Sequence, residues 1–106
     1  MGLFDFWKMP DIGRGVEEFR AAPGAVLLDV RSRQEFQEGH IPGSRNVPLS
    51  AIEEAAALAE DKQTPLFVYC YSGARSGQAV RALRRMGYAN VKNIGGIAAW
   101  TGKVER

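Results

Sequence analysis

Cysteine and histidine are scarce in this sequence: its 106 residues include only Cys70 and His40. A chain with one cysteine cannot form an internal disulfide, a CxxC redox pair or a zinc site with several thiolates. A metal centre would have to be built from carboxylates alone, and nothing in their spacing suggests one. We therefore expect no metal and no cofactor, and any second thiol must come from another molecule.

Long apolar runs are also missing. No segment approaches the ~20 apolar residues of a membrane span, and the sequence does not open with the basic start and apolar stretch of a signal peptide. We therefore expect no membrane contact and a location in the reducing cytoplasm.

The chain has little excess charge of either sign. Lys and Arg number 14 against 12 for Asp and Glu, a net charge of +2. This lies far from the clustered basic excess of nucleic-acid-binding proteins. Arg81, Arg84 and Arg85 are therefore interpreted as a solvated helix face, and we expect no nucleic-acid partner.

The length and the 45% of hydrophobic residues fit one folded domain. We divide the chain into an aromatic arm at residues 1–8, a domain at 9–102 and a polar tail at 103–106. The arm carries Phe4, Phe6 and Trp7, which either pack on the core or dock a partner.

Apolar runs at residues 26–30 and 66–70 lack a polar alternation, as is typical of strands buried on both faces, and residues 91–94 are interpreted as a last short strand. Helical patterns separate them. This alternation predicts an α/β fold with about five short strands in an open parallel sheet and helices on both faces. Ser50 and Glu53 match the S-x-x-E pattern, which predicts a capping box at the start of one helix.

Cys70 closes one buried strand, and a short loop then leads into a helix. Open parallel sheets bind ligands beyond the carboxyl ends of their strands. Such a loop can turn backbone N–H groups inward, and the helix N-terminus adds positive potential, so the pKa of Cys70 should fall and the thiolate should be nucleophilic. The predicted site is Cys70 with the loop residues Tyr71, Ser72, Gly73, Ala74, Arg75 and Ser76. The alternative is an inert cysteine that only fills the core.

Several segments together resemble the rhodanese family over residues 9–102. They are Leu28-Asp29-Val30-Arg31, Glu35-Phe36, Gly39-His40-Ile41-Pro42-Gly43-Ser44, Asn46-Val47-Pro48, Cys70-Tyr71-Ser72-Gly73-Ala74-Arg75-Ser76, and Gly95-Gly96-Ile97 with Trp100. The resemblance implies a rhodanese-like parallel sheet whose first strand includes Met9. It also implies a catalytic Cys70 that carries sulfur as a persulfide.

The resemblance also bears on which atom is transferred. Related phosphatases on this fold place the loop arginine one position later than Arg75, and the shorter loop resembles that of sulfurtransferases. The implied reaction is double displacement from thiosulfate, a persulfide or a polysulfide to a thiol or cyanide. Thiosulfate-using members carry further basic residues in the loop, so the single Arg75 favours a persulfide or polysulfide donor.

Two other functions remain open. The domain could be a sulfur-relay or binding module that only a dedicated protein partner loads, or a catalytically silent regulatory domain. The presence of both Cys70 and Arg75 disfavours the silent domain.

Residues near the predicted site also have structural interpretations. We expect Arg31 to form a structural ion pair with Asp29 or Glu35, and His40 to make a loop-fixing hydrogen bond. Trp100, with Ile97, is expected to pack as a lid on the core, or else to form one wall of the crevice.

Overall fold

The fold was analysed in a computed structural model that describes residues 10–106. Its sheet has four parallel strands in the order β2-β1-β3-β4. They are β1 (Val26–Asp29), β2 (Ser44–Asn46), β3 (Leu66–Cys70) and β4 (Val91–Gly96). The predicted parallel α/β fold is confirmed, with four strands within residues 10–106 rather than about five. The strand expected at Met9 and the arm at 1–8 lie outside the described residues.

Helices cover both faces of the sheet, as predicted. They are α1 (Ile12–Ala21), α2 (Arg33–Glu38), α3 (Ala55–Leu58) and α4 (Ala74–Arg85), with 3-10 helices at Leu49–Glu54 and Ile97–Ala99. Successive strand residues point to opposite faces, so Leu27 packs with α1 on one face while Leu28 packs with α3 and α4 on the other. No helix within residues 10–106 is long and apolar enough to span a membrane.

The capping box predicted at Ser50 and Glu53 is wrong. Residues Leu49–Glu54 form a 3-10 helix after Pro48, with no side-chain capping bond and a kink at Ala51 (φ −125°, ψ 33°). A capping box needs a regular helical turn directly after its serine, and the kink removes that turn.

A capping box does form at the start of α2. Its Ser32 hydroxyl accepts from the Glu35 N–H at 3.2 Å, and the Glu35 carboxylate accepts from the Ser32 N–H at 3.1 Å. The capping box therefore holds Glu35 in the first turn of α2, the helix that follows the carboxyl end of β1.

The polar tail at 103–106 folds back on the domain. The His40 N–H donates to the Glu105 carbonyl at 2.9 Å, and the Glu105 N–H donates to the His40 carbonyl at 2.8 Å. His40 also stacks on Phe36, and its Nδ1 lies 2.9 Å from the Phe36 carbonyl oxygen. The predicted loop-fixing hydrogen bond of His40 is confirmed.

Candidate functional site

Cys70 is the last residue of β3, a strand whose five residues are all buried. Its side chain is 1% exposed. The chain then turns through Gly73, where φ is +103°, a backbone conformation that favours glycine. Helix α4 begins directly afterwards with no side-chain cap, so no side chain accepts from its first N–H groups.

The loop turns hydrogen-bond donors toward the Cys70 sulfur. The Gly73 N–H donates to Sγ at 3.0 Å, and the Ser76 hydroxyl lies 3.4 Å from it. Burial raises the pKa of the thiol. Hydrogen bonds from the Ser76 hydroxyl and from the backbone N–H groups of Ser76, Gly73 and Ser72 outweigh that effect, and the pKa of Cys70 ends below its ordinary value.

The first half of the loop is fixed by the last residue of β4 and by the 3-10 helix that follows it. A methyl group on Gly96 would come within 2.0 Å of the Tyr71 carbonyl oxygen, so only glycine allows this close approach. The Ala98 N–H donates to the same oxygen at 3.1 Å. The Tyr71 side chain is 55% exposed, so its backbone, rather than its ring, is what the fold holds in place.

Arg75 is paired with Glu35, which the sequence did not predict. Its two terminal nitrogens donate to the two Glu35 oxygens at 2.7 and 3.1 Å. The bond from Arg75 lowers the pKa of Glu35 to about 2, and the same bond raises the pKa of Arg75. The Glu35 carboxylate therefore balances most of the positive charge of the Arg75 guanidinium.

The predicted ion pair of Arg31 is also present. Arg31 and Asp29 form hydrogen bonds of 2.7 to 3.1 Å through both carboxylate oxygens, which selects Asp29 over Glu35 as the partner. Arg31 also donates to the Gly39 carbonyl at 2.7 Å. This buried pair fixes the turn after β1.

An open cleft of about 560 Å³ lies beside Arg75. It is lined by Arg75 and by Val30, Ser32, Arg33, Pro48, Leu49 and Ser50. Trp100 and Ile97 pack instead against the core cluster under α1, which confirms the predicted lid and leaves the cleft wall to other residues. Within residues 10–106, no group of three or more His, Cys, Asp and Glu could hold a metal ion.

The structure brings together part of the predicted loop. Gly73 and Ser76 contact the sulfur, Ala74 opens α4, and Arg75 lines the cleft. The Ser72 N–H contributes to the lowered pKa of Cys70, while the Tyr71 ring is exposed to solvent.

Sequence reasoning missed two residues of this site, Glu35 and Asn93. Asn93 donates to the Gly73 carbonyl at 3.1 Å and accepts from the Ser76 hydroxyl at 2.8 Å. Its only signal in the sequence is a polar side chain inside a strand pattern, directly before Ile94 and two glycines.

Comparisons with known proteins show which family this chain is similar to. Residues 15–103 match the family described as Rhodanese-like domain. The thiosulfate sulfurtransferase PspE of Escherichia coli is 42% identical over 71 residues, which are 66% of this chain and 68% of that protein. The putative sulfur carrier protein YrkF of Bacillus subtilis is 36% identical over 80 residues, 74% of this chain but only 43% of that protein.

A solved structure shows the same fold. A rhodanese with anions from E. coli superposes with a TM-score of 0.72 at 35% identity, over 77% of this chain and 98% of that one. The family match covers more than half of the chain, and the PspE identity extends over two thirds of that relative. The chain therefore belongs to the family of rhodanese-like domains.

Proposed function

We propose that this protein is a sulfurtransferase that moves a sulfane sulfur from a donor to a thiol or cyanide through a persulfide on Cys70. One observation carries the proposal: the Gly73 N–H and the Ser76 hydroxyl converge on a buried sulfur at the uncapped start of α4. Donors arranged in this way stabilise a sulfur anion before and after it gains a second sulfur.

The first half-reaction loads Cys70. Its thiolate attacks the sulfane sulfur of the donor, a new S–S bond forms to Sγ, and the bond inside the donor breaks. The donor leaves with the electron pair as an anion. The lowered pKa of Cys70 increases the share of thiolate that is available for this step.

The second half-reaction removes the transferred sulfur from Cys70. An acceptor thiolate or cyanide attacks the outer sulfur of the persulfide, the S–S bond to Sγ breaks, and Cys70 returns as a thiolate. The loop N–H groups hold the negative charge at each stage, with no net oxidation or reduction of the protein.

Charge at the cleft favours some donors over others. The only charged residue of the loop is Arg75, and its guanidinium already binds Glu35 through two hydrogen bonds. Arg33 also lines the cleft, and its guanidinium lies 3.8 Å from the Glu54 carboxylate. A doubly charged donor such as thiosulfate gains little from two arginines that already face carboxylates. The cleft wall includes the apolar side chains of Val30, Pro48 and Leu49, which suits a low-molecular-weight persulfide or a polysulfide better.

A sulfur-relay module is the second candidate. The similarity to a putative sulfur carrier protein favours loading by a protein partner over small-molecule turnover. In either role we keep the cytoplasm as the proposed compartment, and we propose neither a nucleic acid nor a membrane as a partner.

Intact-protein mass spectrometry tests the proposal. Wild type and Cys70→Ser are incubated separately with thiosulfate and with a low-molecular-weight persulfide, under non-reducing conditions. We expect a gain of one sulfur atom that needs Cys70, is larger with the persulfide, and is reversed by cyanide or thiol.

Two other results would change the proposal. Loading only by a protein persulfide would favour the relay module. A reactive Cys70 that no small-molecule or protein donor loads would refute sulfur transfer altogether.

A further inference from the structure

The side-chain amide of Asn93 contacts both residues that bind the Cys70 sulfur. Its Nδ2 donates to the Gly73 carbonyl at 3.1 Å, while its Oδ1 accepts from the Ser76 hydroxyl at 2.8 Å and from the Gly95 N–H at 3.0 Å. Gly73 and Ser76 are the two residues whose N–H and hydroxyl reach Sγ. One side chain on β4 therefore fixes the donors that surround the sulfur.

An irregularity in β4 aims this side chain at the loop. Val68 of β3 pairs with Asn93, but the next residue, Tyr69, pairs with Gly95, so Ile94 is skipped in the register. A bulge of this kind re-aims the side chains beside it and is frequent next to functional sites.

The orientation of the amide is fixed by its neighbours. A backbone N–H can only donate and a backbone carbonyl can only accept. Gly95 therefore selects the oxygen of Asn93, and Gly73 selects its nitrogen. Rotating the amide by half a turn would place its oxygen against the Gly73 carbonyl oxygen and its nitrogen against the Gly95 N–H.

The Ser76 hydroxyl has one proton and three acceptors within reach, the most distant being the Gly95 carbonyl oxygen at 3.5 Å. Asn93 Oδ1 lies at 2.8 Å and Cys70 Sγ at 3.4 Å. A neutral thiol is a weak acceptor and the Gly95 carbonyl is the most distant of the three, so the amide oxygen of Asn93 accepts the hydrogen bond. A sulfur anion is a much stronger acceptor, and turning the O–H bond brings the proton to it without moving the oxygen.

We propose that Asn93 is a positioning residue: it fixes Gly73 and Ser76 against the Cys70 sulfur, and it accepts the hydrogen bond of the Ser76 hydroxyl until the sulfur is charged. The proposal deepens the proposed function, because it rests on Cys70 as the group that becomes anionic. It assigns to β4 a part of the site that the loop sequence alone does not contain.

The pH dependence of Cys70 alkylation by iodoacetamide tests this role, since only the thiolate reacts. Asn93→Ala releases both donors, and we expect the midpoint to rise by about one pH unit. Asn93→Asp keeps the side-chain shape, but its carboxylate repels the sulfur anion and cannot donate to Gly73. It should raise the midpoint further.

The control variant is Asn90→Ala. Asn90 donates to the Gln63 carbonyl at 2.9 Å, the same type of bond, but at the opposite end of β4 from the loop. We expect its midpoint to match wild type. Arg75 and its partner Glu35, the charged groups beside the loop, stay unchanged in all three variants, so a difference between them comes from the asparagine.

A folded Asn93→Asp variant with the wild-type midpoint would overturn the proposal, and this variant also decides the question if Asn93→Ala does not fold. The double variant Asn93→Ala/Ser76→Ala tests whether the Ser76 hydroxyl changes its hydrogen-bond acceptor from Asn93 to the sulfur. A rise in midpoint smaller than the sum of the single rises supports action through Ser76, while full additivity refutes that part. Alkylation needs no sulfur donor, so these results stand apart from the sulfur-loading experiment.

Discussion

Replacing Glu35 with glutamine tests the ion pair that balances Arg75. Glutamine can keep the capping box with Ser32, since the third helical position accepts either residue. It removes only the charge that faces the guanidinium. The variant therefore separates the electrostatic part of this contact from the local structure of α2.

The structure sets the size of the effect. The bond from Arg75, with smaller contributions from Ser32, lowers the pKa of Glu35 from 4.5 to about 2. The whole shift would correspond to about 3 kcal/mol if the carboxylate were shielded from water, which is an upper bound for the ion pair. The side chains are 39% and 33% exposed. Screening by solvent reduces the expected loss in the free energy of unfolding to about 1 kcal/mol, or ~5 °C in melting temperature.

The effect has a defined pH window. The folded-state pKa of Glu35 lies below its unfolded value, so its contribution to stability is complete above pH 4.5 and is lost as the pH falls toward about 2. The difference between wild type and Glu35→Gln should therefore be largest at pH 7, fall to less than half at about pH 3, and vanish near pH 2.

Urea unfolding at several pH values measures this difference. Glu38→Gln is the matched control, because it makes the same chemical change on the same helix at a residue without an ion pair within residues 10–106. Equal stability of wild type and Glu35→Gln at pH 7 would refute the reasoning. So would a difference that stays constant down to pH 3.

Two further predictions concern packing and buried polarity. A methyl group on Gly15 would lie 2.4 Å from Ile94 Cβ, whereas the nearest atom to one on Gly13 lies at 3.5 Å. Gly15→Ala should therefore lower the free energy of unfolding by about 2 kcal/mol, while Gly13→Ala on the same helix should raise it by ~0.5 kcal/mol; equal effects in thermal melts would contradict this. The buried Tyr69 hydroxyl accepts from the Ile41 N–H at 3.1 Å, so Tyr69→Phe should cost about 1 to 3 kcal/mol in urea unfolding, and wild-type stability would count against that role.

The parts of the site that are close in sequence were predictable. Cys70 and the residues up to Ser76 form one strand-to-helix turn. The local sequence is therefore enough to predict that backbone N–H groups of this turn face the sulfur. The Arg31–Asp29 pair spans two residues and was predicted for the same reason, although the sequence left Glu35 open as the partner.

The remaining contacts depend on tertiary structure. Arg75 meets Glu35 across 40 positions in the chain, and Asn93 reaches Gly73 because β4 skips one residue in its register. The Arg75–Glu35 contact leaves no mark in the local sequence, and the polar Asn93 inside a strand pattern does not by itself identify Gly73 as its partner. The capping box shows the converse, because Ser50 and Glu53 carry the full motif while a kink at Ala51 prevents its use.

The buried and solitary Cys70 also determines how long a sulfur would stay on the protein. With no second cysteine in this chain, a loaded persulfide has no internal thiol to attack it. Because Cys70 is only 1% exposed, few outside molecules can reach the persulfide. The lifetime of the loaded state would then be set by the encounter with an acceptor that fits the site, and each chain would hold a single sulfur atom until that encounter.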